Sequence, residues 1–235
     1  MKTVIDRANT RGHADYGWLN TWHTFSFADY YNPQRIHLGA LRVLNDDTVT
    51  PGMGFDTHPH KNMEVISIPL KGYLRHGDSL EHSEVISLGD IQVMSTGSGI
   101  YHSEFNDSKT ENLEFLQIWV IPRVNNTKPV YKSYDIRQVD MKNRFGYIVA
   151  PDGTAPGGIL QDAWFALGKL EKGKKIGYHL HQKNTGVYCF VIEGEICIEG
   201  TDLSRRDGMG ITETDHFQVE ARSEAYVLLI EVAMI

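Results

Sequence analysis

Cysteine is scarce in this chain, which has only Cys189 and Cys197. Both fall in "VYCFVIEGEICIEG", a run whose pattern predicts a hairpin turning at Glu193-Gly194. With a two-residue turn, Cys189 lies opposite Ile198 and Cys197 opposite Phe190. The thiols then face away from each other, and no disulfide is expected. Two buried, inert thiols suit a reducing cytoplasm. Basic residues are also in deficit. The 23 Lys and Arg stand against 30 Asp and Glu, a net charge of −7. Phosphate contacts need the opposite balance, so direct binding to nucleic acid is not expected. No apolar run approaches the ~20 residues of a membrane span, and the opening "MKTVIDRANTRGHADYGW" has no apolar signal core. The expectation is a cytoplasmic protein with no membrane contact. A phosphate-binding loop, a dinucleotide-type glycine fingerprint and a Gly-x-Ser-x-Gly elbow are all missing, which argues against phosphate-bound cofactors and serine hydrolysis.

Helical periodicity is missing too. What recurs is short β-branched or aromatic runs bounded by Gly, Asn or Asp, such as "IHLGALRVLN", "MEVISIPLKG", "EVISLGDIQVMSTG" and "LEFLQIWVIP". The pattern restarts after "PRVNNTKPVYKSY" with "AWFALGKLEKG" and "AYVLLIEVAMI". Many short strands with frequent turn residues predict sandwiches or barrels. The halves echo each other. "HPHKNMEVISIPLKG" and "HLHQKNTGVYCFVIEG" each place His-x-His before an apolar strand that ends at Gly72 or Gly194. A length of 235 residues accommodates two domains of roughly 100 residues. A duplicated β-domain is predicted, 1–122 and 133–235, joined by the Pro/Asn-rich segment 122–132.

His-x-His is unusual in a strand that otherwise reads as buried. Residues i and i+2 share a face, so His58 and His60 project side by side. A second fragment, "GDIQVMSTGSGIYHSEF", carries His102-x-Glu104 at the same period, after a turn whose glycines permit positive φ. If the two strands are antiparallel neighbours, three imidazoles and one carboxylate converge, as metal–ligand bonds of roughly 2.0–2.2 Å require. Such a set leaves positions open on an octahedral ion. Spacing alone does not decide between Glu64 and Glu104 as the carboxylate.

Together the fragments match a known pattern. Gly52…His58-x-His60-x3-Glu64-x7-Gly72 resembles the first cupin motif, and Gly89…Gly97-x-Gly99-x2-His102 the second. "RGHADYGWLNTWHTFSFADYY", "GFDTHPHKNMEVISIPLKG" and "GDIQVMSTGSGIYHSEFN" further resemble the bacterial branch of the pirin family, closely over the first half and more loosely to the C-terminus. The resemblance implies an all-β bicupin, two cupin-type antiparallel β-barrels packed face to face. It implies a metal in the N-terminal barrel held by His58, His60, His102 and Glu104. Glu64 then becomes an acceptor that orients a ligand histidine. His179, His181 and His216 repeat the pattern in the second half as a vestigial site. Gln218 stands where the carboxylate would be, and the flanking spacing is one residue longer, so no catalytic metal is expected there.

The activity implied is quercetin 2,3-dioxygenase: a flavonol or similar enolic aromatic and dioxygen as substrates, with ring opening and loss of carbon monoxide. Fe(II) is the favoured ion, with Mn, Co, Ni, Cu or Zn suited to the same donors. Glu104 is expected to be the catalytic base. Two other readings come from different classes. One is a regulatory protein that binds a transcription factor or metabolic enzyme. The other is a cupin isomerase or lyase acting on a small polar substrate. Among the remaining residues, His76 and His82 read as a solvated loop in "RHGDSLEHSE", and His23 as support for the core. Met53, Phe55, Met63 and Met94 are candidates for an apolar cavity wall.

Overall fold

The computed structural model describes residues 1–235. It is built of β-strands and a single 3₁₀ turn, Ala8–Thr10, and no helix is long and apolar enough to cross a membrane. The strands form four sheets, which repeat one plan twice. In the first half a four-stranded sheet pairs Gly54–His60, Ile100–Asn106, Tyr73–Asp78 and Ser83–Ser87 in that spatial order. In the second half Lys175–His179, His216–Ala221, Glu195–Ile198 and Thr201–Ser204 take the corresponding places. Each four-stranded sheet faces a seven-stranded one, and each pair is a cupin barrel. The chain is therefore the expected all-β bicupin.

The landmark glycines mark corners rather than hairpins. Glu64–Lys71 lies in the first seven-stranded sheet, and the strand after Gly72 lies in the four-stranded one. Thr185–Glu193 and the strand after Gly194 repeat this change of sheet. Gly72 has φ of +80° and Gly194 of +83°. A Cβ at either would meet a backbone carbonyl, Asn112 at 2.7 Å or Glu224 at 2.1 Å. Only glycine suits such a corner. The hairpin expected at Glu193-Gly194 is thus not formed, because strand twist and closure send the chain to the opposite wall. Cys189 pairs with Met209 and Leu229, and Cys197 with Asp202 and Glu220. Both thiols are nevertheless buried and free.

Two strands cross between the halves. Lys2–Asp6 borders the second half's seven-stranded sheet through Gly208–Thr212. Val130–Asp135, from the segment after the first half, borders the first half's sheet through Asp90–Ser95. Sheet membership therefore differs from the ranges 1–122 and 133–235 at both ends. The seven-stranded sheets share a cluster of 24 buried apolar residues, including Leu44, Ile66, Ile118, Phe165, Phe190 and Ile230. Their strands are apolar on both faces for this reason, which fits the uninterrupted apolar runs of the sequence.

The barrel interiors differ. The second is filled by 16 buried residues, among them Phe217, Val219, Met209 and Leu229. The first holds only small clusters of six and four. Buried polar residues occupy the rest, including Thr21, His23, Asn45, Asp47, Ser67, Gln92 and Gln117. Burying so many polar groups is costly unless they bind one another or a ligand.

Candidate metal centre

The centre lies on Ile100–Asn106, the second strand of the first four-stranded sheet. On one side it pairs with Gly54–His60, placing His102 directly opposite His58. The register slips between His102 and Glu104, where a bulge lets Phe55 face Glu104. Bulges re-aim side chains and are frequent beside functional sites. On its other side the same strand pairs with Tyr73–Asp78, placing His76 opposite Glu104 and Asp78 opposite His102.

His58, His60 and His102 each offer a ring nitrogen, all within 4.8 Å of one another. His58 Nε2 and His60 Nε2 are 3.1 Å apart. Two nitrogens bound side by side on one ion at ~2.1 Å would be about 3.0 Å apart, so the spacing fits a shared metal. The Asp56 carbonyl lies 2.8 Å from His58 Nδ1 and accepts its N–H, so that in the neutral ring Nε2 carries the lone pair. His102 is buried, and neither of its ring nitrogens has a partner. Burial, reinforced by the neighbouring imidazoles, pushes His60 down to about 4 and His102 down to about 3. Both are neutral at physiological pH and ready to donate without first losing a proton. A divalent transition metal fits this donor set.

Glu104 is 1 % exposed. Oε1 accepts from Ser67 Oγ at 3.0 Å and Gln92 Nε2 at 2.6 Å, and Oε2 from Gln117 Nε2 at 3.0 Å. Its nearest grouping is with His76 and His102, again within 4.8 Å, rather than with His58 and His60. Glu64 lies elsewhere. It begins the strand behind the site, accepting from Ser95 Oγ at 2.7 Å and the Leu160 N–H at 3.4 Å. It makes no hydrogen bond to His58, His60 or His102. Burial raises its carboxyl above the usual range, against those two hydrogen bonds.

Beside His58 opens a cavity of about 360 Å³, within the range of small-molecule pockets. Trp18, Phe27, Phe55 and Trp119 supply aromatic walls, and Asp47 and Gln117 bring polar groups to it. His23 also lines it, with Nδ1 held 2.9 Å from Asn45 Oδ1, so it borders the cavity as well as the core. Of the expected wall residues only Phe55 is there. Met94 and Met63 pack around Ile100 and Tyr131, and Met53 is exposed.

His76 is a correction. It sits on a strand, is 1 % exposed, and bonds Asp78 Oδ2 through Nε2 at 2.9 Å. The polar run around it reads as a loop, but His76-x-Asp78 is the same period-two signal as His58-x-His60. His82 does lie in the turn and bonds Asp78. Asp47, Gln92 and Gln117 carry no motif, since isolated polar residues in apolar strands show no spacing to recognise.

The second-half histidines do not converge. His179 and His216 are opposite one another on exposed positions, rings 5.6 Å apart, while their neighbours Tyr178 and Phe217 face inward. A one-residue change of phase moves a strand's residues to the other face. His181 turns away to Glu231, Nδ1 to Oε2 at 2.7 Å, and stacks on Trp164.

Two facing barrels of this topology, with a clustered histidine triad inside the first, define a bicupin whose first barrel can hold a metal. Comparison with known proteins narrows the class. The Pirin model matches residues 4–120, and that of the quercetinase C-terminal cupin domain matches 147–232. Quercetin 2,3-dioxygenase of Escherichia coli K12 is 39% identical over 228 residues, 97% of each chain. A pirin-like protein of Caulobacter vibrioides is 35% identical over 98% of this chain and 100% of its own. The crystal structure of the E. coli bacterial pirin YhhW in complex with nickel(II) superposes with a TM-score of 0.94 at 36% identity, covering 100% of both chains. This chain belongs to the pirin family.

Proposed function

We propose that this protein is a metal-dependent dioxygenase of the pirin type that cleaves a flavonol, quercetin or a close relative, with dioxygen. The observation that carries the reading is the histidine triad at metal-ligand spacing beside an aromatic-walled cavity. The names of the relatives and the nickel complex of the E. coli pirin support it. His58, His60 and His102 hold the ion, with Glu104 as the carboxylate, and Fe(II) is the proposed metal. When bound, such an ion acidifies a coordinated hydroxyl and gives dioxygen a redox partner.

The chain's own residues do the rest. The aromatic walls accept a flat ring system and exclude water, which strengthens every polar contact inside. Gln117 both lines the cavity and donates to Glu104 Oε2. A substrate hydroxyl that takes the place of that amide reaches Oε2 and passes its proton there, making Glu104 the base. Ser67 and Gln92 keep hold of Oε1 meanwhile, so the carboxylate stays oriented.

The test is turnover by anaerobically purified, Fe(II)-loaded protein of known metal content, screened on flavonols under dioxygen with carbon monoxide measured. Stoichiometric carbon monoxide at a kcat/KM of roughly 10⁴ M⁻¹s⁻¹ or more supports the reading. Turnover without dioxygen would replace it with an isomerase or lyase.

A further inference from the structure

His76 has a geometry that the metal reading above does not use. Asp78 accepts hydrogen bonds from the Leu80 and His82 N–H groups at 2.8 and 3.1 Å, as well as from imidazoles. Its oxygens are acceptors, so the proton between Asp78 Oδ2 and His76 Nε2 belongs to the imidazole. In the neutral ring, the form a metal ion would bind, Nδ1 of His76 is then the lone-pair nitrogen. It is buried and has no hydrogen-bond partner. Tyr131, from the strand that crosses over after the first half, stacks on the ring at 3.9 Å and 9° and fixes its plane. A carboxylate on one ring nitrogen and a bare nitrogen on the other is the arrangement found behind metal-bound histidines.

What Nδ1 can share an ion with is also determined. His76, His102 and Glu104 each bring one donor atom within 4.8 Å of the other two, and all three are buried. His102 belongs to this trio and to the trio with His58 and His60. Both its nitrogens are unpartnered, so neither trio is closed to it by a competing hydrogen bond. The central strand explains the doubling, since it carries His102 and Glu104 between one strand bearing His58 and His60 and another bearing His76 and Asp78.

We propose that the first barrel offers its divalent transition metal a second, inner position formed by His76, His102 and Glu104, with Asp78 holding His76. The ion exchanges His58 and His60 for His76 while it keeps His102 and Glu104, and one ion is bound per chain. This rests on the metal reading above and goes beyond it in assigning His76 as a ligand and Asp78 as its positioning residue. Moving inward frees the side of the ion that faces the cavity.

The experiment uses the full chain and Ni(II) alone, followed by calorimetric titration and metal analysis, with circular dichroism as the folding control. His58→Ala/His60→Ala removes the outer pair and should still take up one equivalent of Ni(II). Adding Asp78→Asn should weaken that uptake by about 10–100-fold, and adding His76→Gln should abolish it. In the wild type, Cu(II) should give two superposed electron paramagnetic resonance signals, of which His76→Gln keeps one. Nickel bound by the wild type but not by the folded double variant would overturn the inner position and leave the outer ligands standing. Failure of the wild type to bind nickel at all would overturn both. Should the double variant not fold, a single Cu(II) signal in the wild type, unchanged in His76→Gln, refutes the proposal by itself.

Discussion

Asp47→Asn should stabilise the metal-free protein, and only above mildly acidic pH. Asp47 is 2 % exposed, and its hydrogen-bond partner is the hydroxyl of Thr21. Burial, with the charges of Asp46 and Glu104 adding to it against the Thr21 bond, pushes its carboxyl from 3.8 up to about 7. Between those values the folded state keeps a proton that the unfolded state has released, so this residue's contribution to stability falls as pH rises. About three pKa units correspond to ~4 kcal/mol as an upper bound above pH 7. Asparagine has nearly the same shape, offers Thr21 the same acceptor and never ionises. The variant should match the wild type near pH 3.5, gain across pH 4–7 and hold a constant advantage beyond. At roughly 2–4 °C per kcal/mol the advantage is on the order of 10 °C in Tm. The assay is thermal and urea unfolding of chelator-treated protein at half-unit pH steps, so that no cation offsets Glu104. Other titrating groups cancel in the difference. A difference independent of pH, or a variant less stable than wild type at pH 8, would refute the argument.

Further outcomes follow from the same structure. Metal-free wild type should lose stability as pH falls below 6.5 and on through about 4 to 3, because His60 and His102 stay neutral when folded but take up protons when unfolded. Unfolding free energy against pH for wild type and His102→Gln checks this, with the variant's relative stability rising as pH falls. Glu104→Gln should keep much of the metal yet lose about 10²–10⁴-fold in kcat/KM. Glu64→Gln, which disturbs only Ser95 and Leu160, should leave metal content unchanged; assays at matched metal occupancy separate the two, and a reversed order would move the carboxylate role to Glu64. His179→Ala/His216→Ala should alter neither metal content nor Tm appreciably, since both side chains lie outside the second barrel, and metal analysis with a melt suffices to check it.

Much was legible in the chain before folding, because some of its information is local. Period-two spacing put His58 with His60 and His102 with Glu104, since alternate residues of any strand share a face. Glycines at nearly the same distance after His-x-His, 14 residues in one half and 15 in the other, announced the duplication, and the corners at Gly72 and Gly194 reject any side chain. The resemblance to pirins rested on those same residues. Pairing across the chain was not local, and there the sequence misled. Glu193-Gly194 reads as a hairpin but turns from one wall of the barrel to the other. His216 repeats His102 in sequence, yet a shift in strand phase puts Phe217 inside in its place. Glu64 fits a motif position but faces Ser95 and Leu160, and His76, in a polar run, is walled in by Tyr131 from beyond the first half. The sequence alone determined which residues are chemically able to bind a metal and which pairs share a strand face. Only the tertiary structure decided which faces point into a barrel, which barrel stays hollow and which donors meet, because those depend on strands paired far apart in the chain.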